Sequence, residues 1–275
     1  SISSRSDLQA LFPPAPQGVD PAASAAPPGP INAEFGHGGD RKRLSLRPFD
    51  EELIKAVAAS NPRTIVVVVA GGTVMCEAWI DSPAAVLMAW YSGAEGGTAL
   101  AEMLVGEAEP AGRLPFAIPT SESHLPFFDS EATNIVYDEW HGQRKLDRDN
   151  NPPRFPLGYG LGYSVVENVG FDLVSRNGDS CVVRATVKNV GDRATKHSLQ
   201  VYGKPAEVDG AVRKLMAFSS LNLSAQELAS IEIVVPLTPL TKWESALNRF
   251  GSAPKVATLE LSKFSGDESR ISILV

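Results

Sequence analysis

The sequence predicts an α/β layer built on a parallel sheet, followed by an antiparallel β-sandwich. Three observations carry this. "RTIVVVVAGG" holds a continuous β-branched run stopped by two glycines, the pattern of a strand buried on both faces of a parallel sheet. Helix-period apolar patterns stand on either side of it. Beyond about Tyr163 the chain turns into short alternating strands separated by turn residues at roughly 10-residue spacing. With 275 residues and 43% hydrophobic content, the chain can bury a real core and form one or two domains.

Taken in order, the chain opens at Ser1, and "SISSRSDLQA" has neither the basic start nor the apolar centre of a secretory signal. Either something is removed upstream, or this is a piece of a longer chain. Residues 12–30, "FPPAPQGVDPAASAAPPGP", are rich in Pro and Ala, so 1–30 reads as an extended or mobile loop segment. The folded part is expected to begin after it. "LSLRPFDEELIKAVAASNP" puts Leu53, Ile54, Val57 and Ala58 on one helical face and stops at Asn61-Pro62. The buried strand follows. A second apolar run, "AAVLMAWYSG", precedes "AEGGTALAEMLVGE", where Ala99, Leu100, Met103 and Leu104 again make a helical face. Glycines close both strands, at Gly71-Gly72 and Gly93, where open α/β sheets present a ligand crevice. After about residue 165 come "SCVVRATVKNVGD", "KHSLQVYGKP" and "LASIEIVVPL", with "KNVGDRA" expected as a hairpin-type turn.

Composition narrows the function classes. The formal net charge is -7, with 25 Lys+Arg scattered among 32 Asp+Glu, which points away from nucleic acid as a partner. The longest apolar run is strand-sized, far below the roughly 20 residues of a membrane-spanning helix. Cys76 and Cys181 each sit in an apolar context and read as two buried free thiols, leaving the compartment open.

Two longer runs carry a family resemblance. "AWYSGAEGGTALAEMLVGEAEPAGRLPFAIP", Ala89 to Pro119, is similar to the "AW-PG-EGG-A-A-L-G---P-GRLP" run of glycoside hydrolase family 3. "VYDEWHGQRKLDRDNNPPRFPLGYGLGYS", Val136 to Ser164, is similar to that family's "Y-G-R---PLFPFGYGLSYT" run. Beyond them, "ATVKNVGDRATKHSLQVYGKP" and "RKLMAFSSLNLSAQELASIEIVV" resemble the fibronectin type III-like domain that closes many members. The chain from Glu34 to Val275 thus resembles the C-terminal part of the family. The resemblance implies a partial three-layer α/β/α sandwich over 31–164 and a fibronectin type III-like β-sandwich over 165–275. It also implies retaining, exo-acting hydrolysis of terminal β-D-glycosides, β-glucosidase-like, with no metal and no organic cofactor. That chemistry needs two carboxylates about 5 Å apart. The family's aspartate nucleophile lies on an N-terminal (β/α)8 barrel that this chain cannot build, so the expected partner is that barrel portion as a separate chain. The β-glycoside is the expected substrate, and a dimer of the assembled unit is left open. Two other classes stay open: a non-catalytic carbohydrate-binding subunit, and a pseudoenzyme or regulatory subunit.

"INAEFGHGGDRKRL" is where many members place the acid/base glutamate, in a "GEGxDR"-like segment. Aligning on Asp40 and Arg41 sets His37 in the glutamate's place, with Glu34 three residues earlier. Three readings follow: His37 as proton donor, Glu34 swung in by the glycine loop, or an acid further upstream, as in members with a "DEGE" stretch. The last is preferred. Asp40 and Arg41 are candidates for substrate contact, against helix capping as the alternative. Glu95, between glycines after a strand, is a substrate-contact candidate with the same alternative. Trp140 and His141, with Arg144, match the loop that in relatives approaches the sugar, and an indole face suits the C–H surface of a pyranose. Arg113 is expected to anchor its segment to backbone carbonyls, His124 and Asp129 to belong to a structural loop, and Tyr159 and Tyr163 to pack the domain junction.

Overall fold

The structure, a computed structural model, describes residues 43–129, 132–206, 208, 212–241 and 243–275. The expected loop 1–30 and the candidates Glu34, His37, Asp40 and Arg41 lie outside the described residues. The chain forms two compact units: one runs to Ala108 and takes in Phe127–Tyr137, the other comprises Glu109–Pro126 and Asp138–Val275.

In the first unit, α1 (Pro48–Ser60) starts with proline in its first turn, where no N–H is needed, and carries Asp50 and Glu51 at its positive end. Asp50 also pairs with Arg47 at 2.8 Å. The helix stops before Pro62, and β1 (Ile65–Val68) runs parallel to β2 (Ala85–Met88), in register Ile65↔Ala85 to Val68↔Met88. α2 (Gly96–Val105) ends on Gly106, whose φ of +79° is the left-handed turn that suits glycine. Val74, Met75, Cys76 and Trp79 are buried in this unit, as is Ala58 of α1. Two expectations are corrected here. β1 is not buried on both faces: Ile65 is exposed and Val66–Val68 are half-buried. The expected core face of α1 is open as well, with Leu53 51% and Val57 46% exposed. A two-stranded sheet is too small to cover its own faces and a helix stripe.

The second unit holds two antiparallel sheets. One has the order β3 (Val166–Asn177), β4 (Ser180–Asn189), β7 (Leu228–Pro236). The other has the order β11 (Ile271–Leu274), β10 (Ala257–Ser262), β5 (Thr195–Pro205), β6 (Lys214–Leu223). A short hairpin of β8 (Trp243–Glu244) and β9 (Arg249–Phe250) follows β7. Alternation along β4 buries Cys181, Val183, Ala185 and Val187, which share one core with Leu199 and Val201 of β5 and Leu259 and Leu261 of β10. Both cysteines are buried free thiols. The segment "KNVGDRA" does not make a hairpin. It carries the chain from β4 in one sheet to β5 in the other, because β4 pairs with β3 and β7 while β5 pairs with β10 and β6. The fully buried Asn189 side chain sets this corner: Nδ2 donates to Arg193 and Ser224 carbonyls, and Oδ1 accepts from Ser164 Oγ and the Gly191 amide.

The second face of the four-stranded sheet is polar and covered. Gln200 Nε2 donates to the carbonyls of Gly158 and Lys263, the Tyr202 hydroxyl to Leu157 O, and Ser198 Oγ to Ala111 O. Glu109 Oε1 accepts from Thr195 Oγ1 at 2.7 Å and from the Tyr163 amide at 2.9 Å. Through these bonds Glu109, Ala111, Leu157, Gly158 and Tyr163 are tied to the antiparallel sheets within the second unit. Tyr159 packs between Phe155 and Phe264, with ring centroids at 5.0 and 5.5 Å.

Candidate functional site

The predicted site residues that the structure brings together are Trp140 and His141. They form an extended lead into α3 (Gly142–Arg148), with His141 at the N-cap position and Gly142 turning the chain at φ +55°. The loop is tied down locally. Asp138 Oδ1 accepts from the Trp140 amide at 2.8 Å, and the Asp138 carbonyl lies 3.2 Å from His141 Nδ1. His141 is exposed and Trp140 half-buried.

Helix α3 brings the groups that brace this lead. Gln143 is buried, donates Nε2 to Asp147 Oδ1 one turn on, and accepts the Leu157 amide on Oε1 at 2.9 Å. Arg148 places its guanidinium carbon 4.8 Å from the centre of the Trp140 ring. Its Nε donates to Asp149 Oδ1 at 2.7 Å, and Asp149 Oδ2 receives Lys145 at 2.5 Å. Those two hydrogen bonds hold the Asp149 carboxyl at about 2, below the ordinary carboxylate range. Burial pushes Asp147 the other way, opposed by its Gln143 bond and by Arg213, whose Nη1 stands 3.9 Å off. Arg213 and Arg270 in turn hold the buried Glu260 of β10, at 3.0 and 3.3 Å.

Three carboxylates of this stretch are engaged, Asp138 with Trp140, Asp147 with Gln143, and Asp149 with Arg148 and Lys145, while Glu139 is exposed with Arg144 at 3.9 Å. Beside them the stretch presents the Trp140 ring, the exposed His141 imidazole and the exposed Glu139 carboxylate. Gln143, Arg148 and Asp149 were missed in the sequence. For Gln143 and Asp149 the signal is the i, i+4 spacing of Gln143–Asp147 and Lys145–Asp149 on one short helix, whereas nothing in the pattern announces Arg148.

The other candidates stand apart. Glu95 belongs to the first unit, exposed, at the N-cap position of α2 and with no capping bond from its side chain. Arg113 donates Nη1 to the Gly112 carbonyl at 2.8 Å, and burial lowers its pKa against the pull of Glu109. His124 closes a 3₁₀ turn (Glu122–His124), with Nδ1 3.4 Å from Thr120 Oγ1. Among the described residues no group of His, Cys, Asp and Glu is placed to hold a metal, and no helix is long and apolar enough to cross a membrane.

Residues 25–163, just over half of the chain, match the model of the glycosyl hydrolase family 3 C-terminal domain. The chain belongs to this family. Probable beta-glucosidase I of Aspergillus terreus is 32% identical over 221 residues, taking in 75% of this chain and 26% of that protein. Among solved structures, the β-glucosidase DesR of Streptomyces venezuelae, in complex with D-glucose, aligns with a TM-score of 0.78 at 30% identity, over 86% of this chain and 32% of that one. A β-glucosidase of Kluyveromyces marxianus, in complex with glucose, aligns with a TM-score of 0.78 at 27% identity, over 87% of this chain and 30% of that one. This family 3 chain therefore spans between a quarter and a third of the length of these three relatives.

Proposed function

We propose that this chain is the C-terminal portion of a retaining, exo-acting β-glycosidase that hydrolyses terminal β-D-glucosides and related glycosides. The observation that carries the reading is the match of residues 25–163 to the family's C-terminal domain, together with relatives named as β-glucosidases. In this reading an N-terminal (β/α)8 barrel portion supplies the aspartate nucleophile and the acid/base, the pair that retaining chemistry needs about 5 Å apart. The first unit is the family's α/β layer and the two antiparallel sheets are its fibronectin type III-like domain. Trp140 offers its indole face to the sugar or its aglycone, with His141 as a polar contact beside it. Glu95, Asp40 and Arg41 are separate candidates for substrate contact. Glu34 and His37 are the proton-donor candidates within this chain.

Turnover of an aryl β-glucoside by this chain alone, by the barrel portion alone, and by the two together tests the reading. Turnover that needs both portions supports it. The absence of turnover from the combined, folded portions overturns it in favour of a non-catalytic carbohydrate-binding or regulatory subunit. In the active assembly, Glu34→Ala and His37→Ala then locate the acid: a drop of about a hundredfold or more in kcat/KM from one of them places it here, and unchanged rates place it on the barrel portion.

A further inference from the structure

We infer that Arg148 is the positioning residue of the Trp140 platform, the group that fixes the plane in which the indole is presented to a saccharide. The inference rests on Trp140 being the sugar contact proposed above. It is carried by a chain of contacts that begins at the ring. The Arg148 guanidinium stands 4.8 Å from the ring centre, close enough for cation–π attraction, and so covers one face of the indole. The guanidinium is itself fixed. Asp149 takes its Nε at 2.7 Å, and Lys145 takes the other Asp149 oxygen. The other end of the residue is fixed as well, because the Trp140 amide donates to Asp138 Oδ1.

With backbone and ring both held, the plane of the half-buried indole is fixed, and the face opposite the guanidinium is the one assigned to the saccharide. A pyranose stacks through its axial C–H bonds on an aromatic face, so the orientation of that face sets which end of a glycoside it can hold. Arg suits this role better than Lys. A planar guanidinium lies flat on a ring while still bonding a carboxylate through its edge, whereas an ammonium is a point charge that does one or the other. The helix between them is short, and Gln143 ties it to the Leu157 amide. Arg148 and Trp140 are thereby held on one local frame.

The test uses the active assembly of this chain with its barrel portion and an aryl β-glucoside, comparing Trp140→Ala, Arg148→Ala, Arg148→Lys and the Trp140→Ala/Arg148→Ala double variant. Trp140→Ala is expected to raise KM about tenfold. Arg148→Ala should raise it about three- to fivefold, with the loss falling on KM rather than kcat. Arg148→Lys should recover only part of the loss, and the double variant should be no worse than Trp140→Ala alone. The tryptophan emission that Trp140→Phe removes should shift in Arg148→Ala. If Trp140→Ala raises KM while Arg148→Ala leaves KM and emission unchanged, or if the two losses add in the double variant, the positioning role is overturned and the platform stands. If Trp140→Ala leaves KM unchanged, the platform reading falls and the positioning role with it.

Discussion

Two residues of the second unit make their physical roles measurable. His197 is 7% exposed on β5, and burial, with Arg113 and Lys263 nearby, pushes its pKa from 6.5 down to about 4. The folded state therefore keeps the imidazole neutral where the unfolded chain binds a proton. Between pH 6.5 and about 4 the unfolded state holds the extra proton, so stability falls as pH falls through that window, by an amount on the order of 3 kcal/mol. The urea midpoint of the chain should drop over this range, and the His197→Leu variant should lack that part of the drop. An equal fall in both would assign the acid sensitivity to other groups. Gly158 makes a different demand. Its φ is +83°, and a β-carbon there would run into the Gln200 amide oxygen and stand 2.5 Å from the Tyr202 hydroxyl. Tyr202 is fully buried, and burial drives its phenol far above the usual range, so the hydroxyl has no water to turn to when displaced. Gly158→Ala is expected to cost about 3 kcal/mol from backbone strain and broken bonds together, read as a lowered denaturant midpoint. An unchanged midpoint would mean that the Leu157–Gly158 turn can lift off the sheet at no cost.

At the scale of elements, the corner between β4 and β5 is held from inside by Asn189 and from outside by Gln226, whose Nε2 donates to the carbonyls of Val190 and Gly191. Asn189 uses both amide protons and its oxygen on four partners across three segments, and it is fully buried. Asn189→Ala leaves two carbonyls, one amide and one hydroxyl without it, an expected loss of about 2–4 kcal/mol by chemical denaturation. Asn189→Asp keeps the acceptor and loses both donors, and should recover little of that loss. The same corner shows what the sequence discloses about elements. The alternation of Cys181, Val183, Ala185 and Val187 announces a strand with one buried face, and Ile65–Val68 announces a strand by β-branching alone. Which sheet the next strand joins is not written in such a pattern. "KNVGDRA" has the residues of a tight turn, and only the pairing of β4 with β3 and β7 and of β5 with β10 and β6 shows that it crosses between sheets. The depth of burial of β1 was illegible for a related reason, since it depends on what lies over the strand and not on the strand itself. In the candidate site, Trp140 and His141 were readable from their motif. The Arg148 clamp was not, because Gly142 at φ +55° turns the chain so that a residue eight positions on lies against the indole.

At the scale of the whole molecule, the first unit carries apolar surface that its described elements leave open. Phe49, Leu53 and Val57 recur every fourth residue along α1 and are 70%, 51% and 46% exposed, while Val69 after β1 and Leu104 on α2 are 65% and 40% exposed. A stripe of three large apolar side chains on one helix face is the signature of a surface that another protein covers. The occupant proposed here is the barrel portion, since the chain accounts for about a quarter of the length of a relative such as the Aspergillus terreus protein. Burying a leucine side chain stabilises by about 1.5–3 kcal/mol, so losing one such contact and placing a charge there should weaken association by at least tenfold. Leu53→Glu is therefore expected to raise the Kd between this chain and the barrel portion by tenfold or more in calorimetry, and to lower turnover of an aryl β-glucoside at sub-saturating chain concentration. Ala59→Glu, an exposed substitution on the same helix away from the stripe, serves as the control and should leave Kd within about twofold. Far-ultraviolet circular dichroism of both variants should match the wild type, because Leu53 and Ala59 are both exposed on α1. An unchanged Kd for Leu53→Glu with tight wild-type association would move the docking surface off α1, and the absence of any association would remove the barrel portion as the partner that covers it.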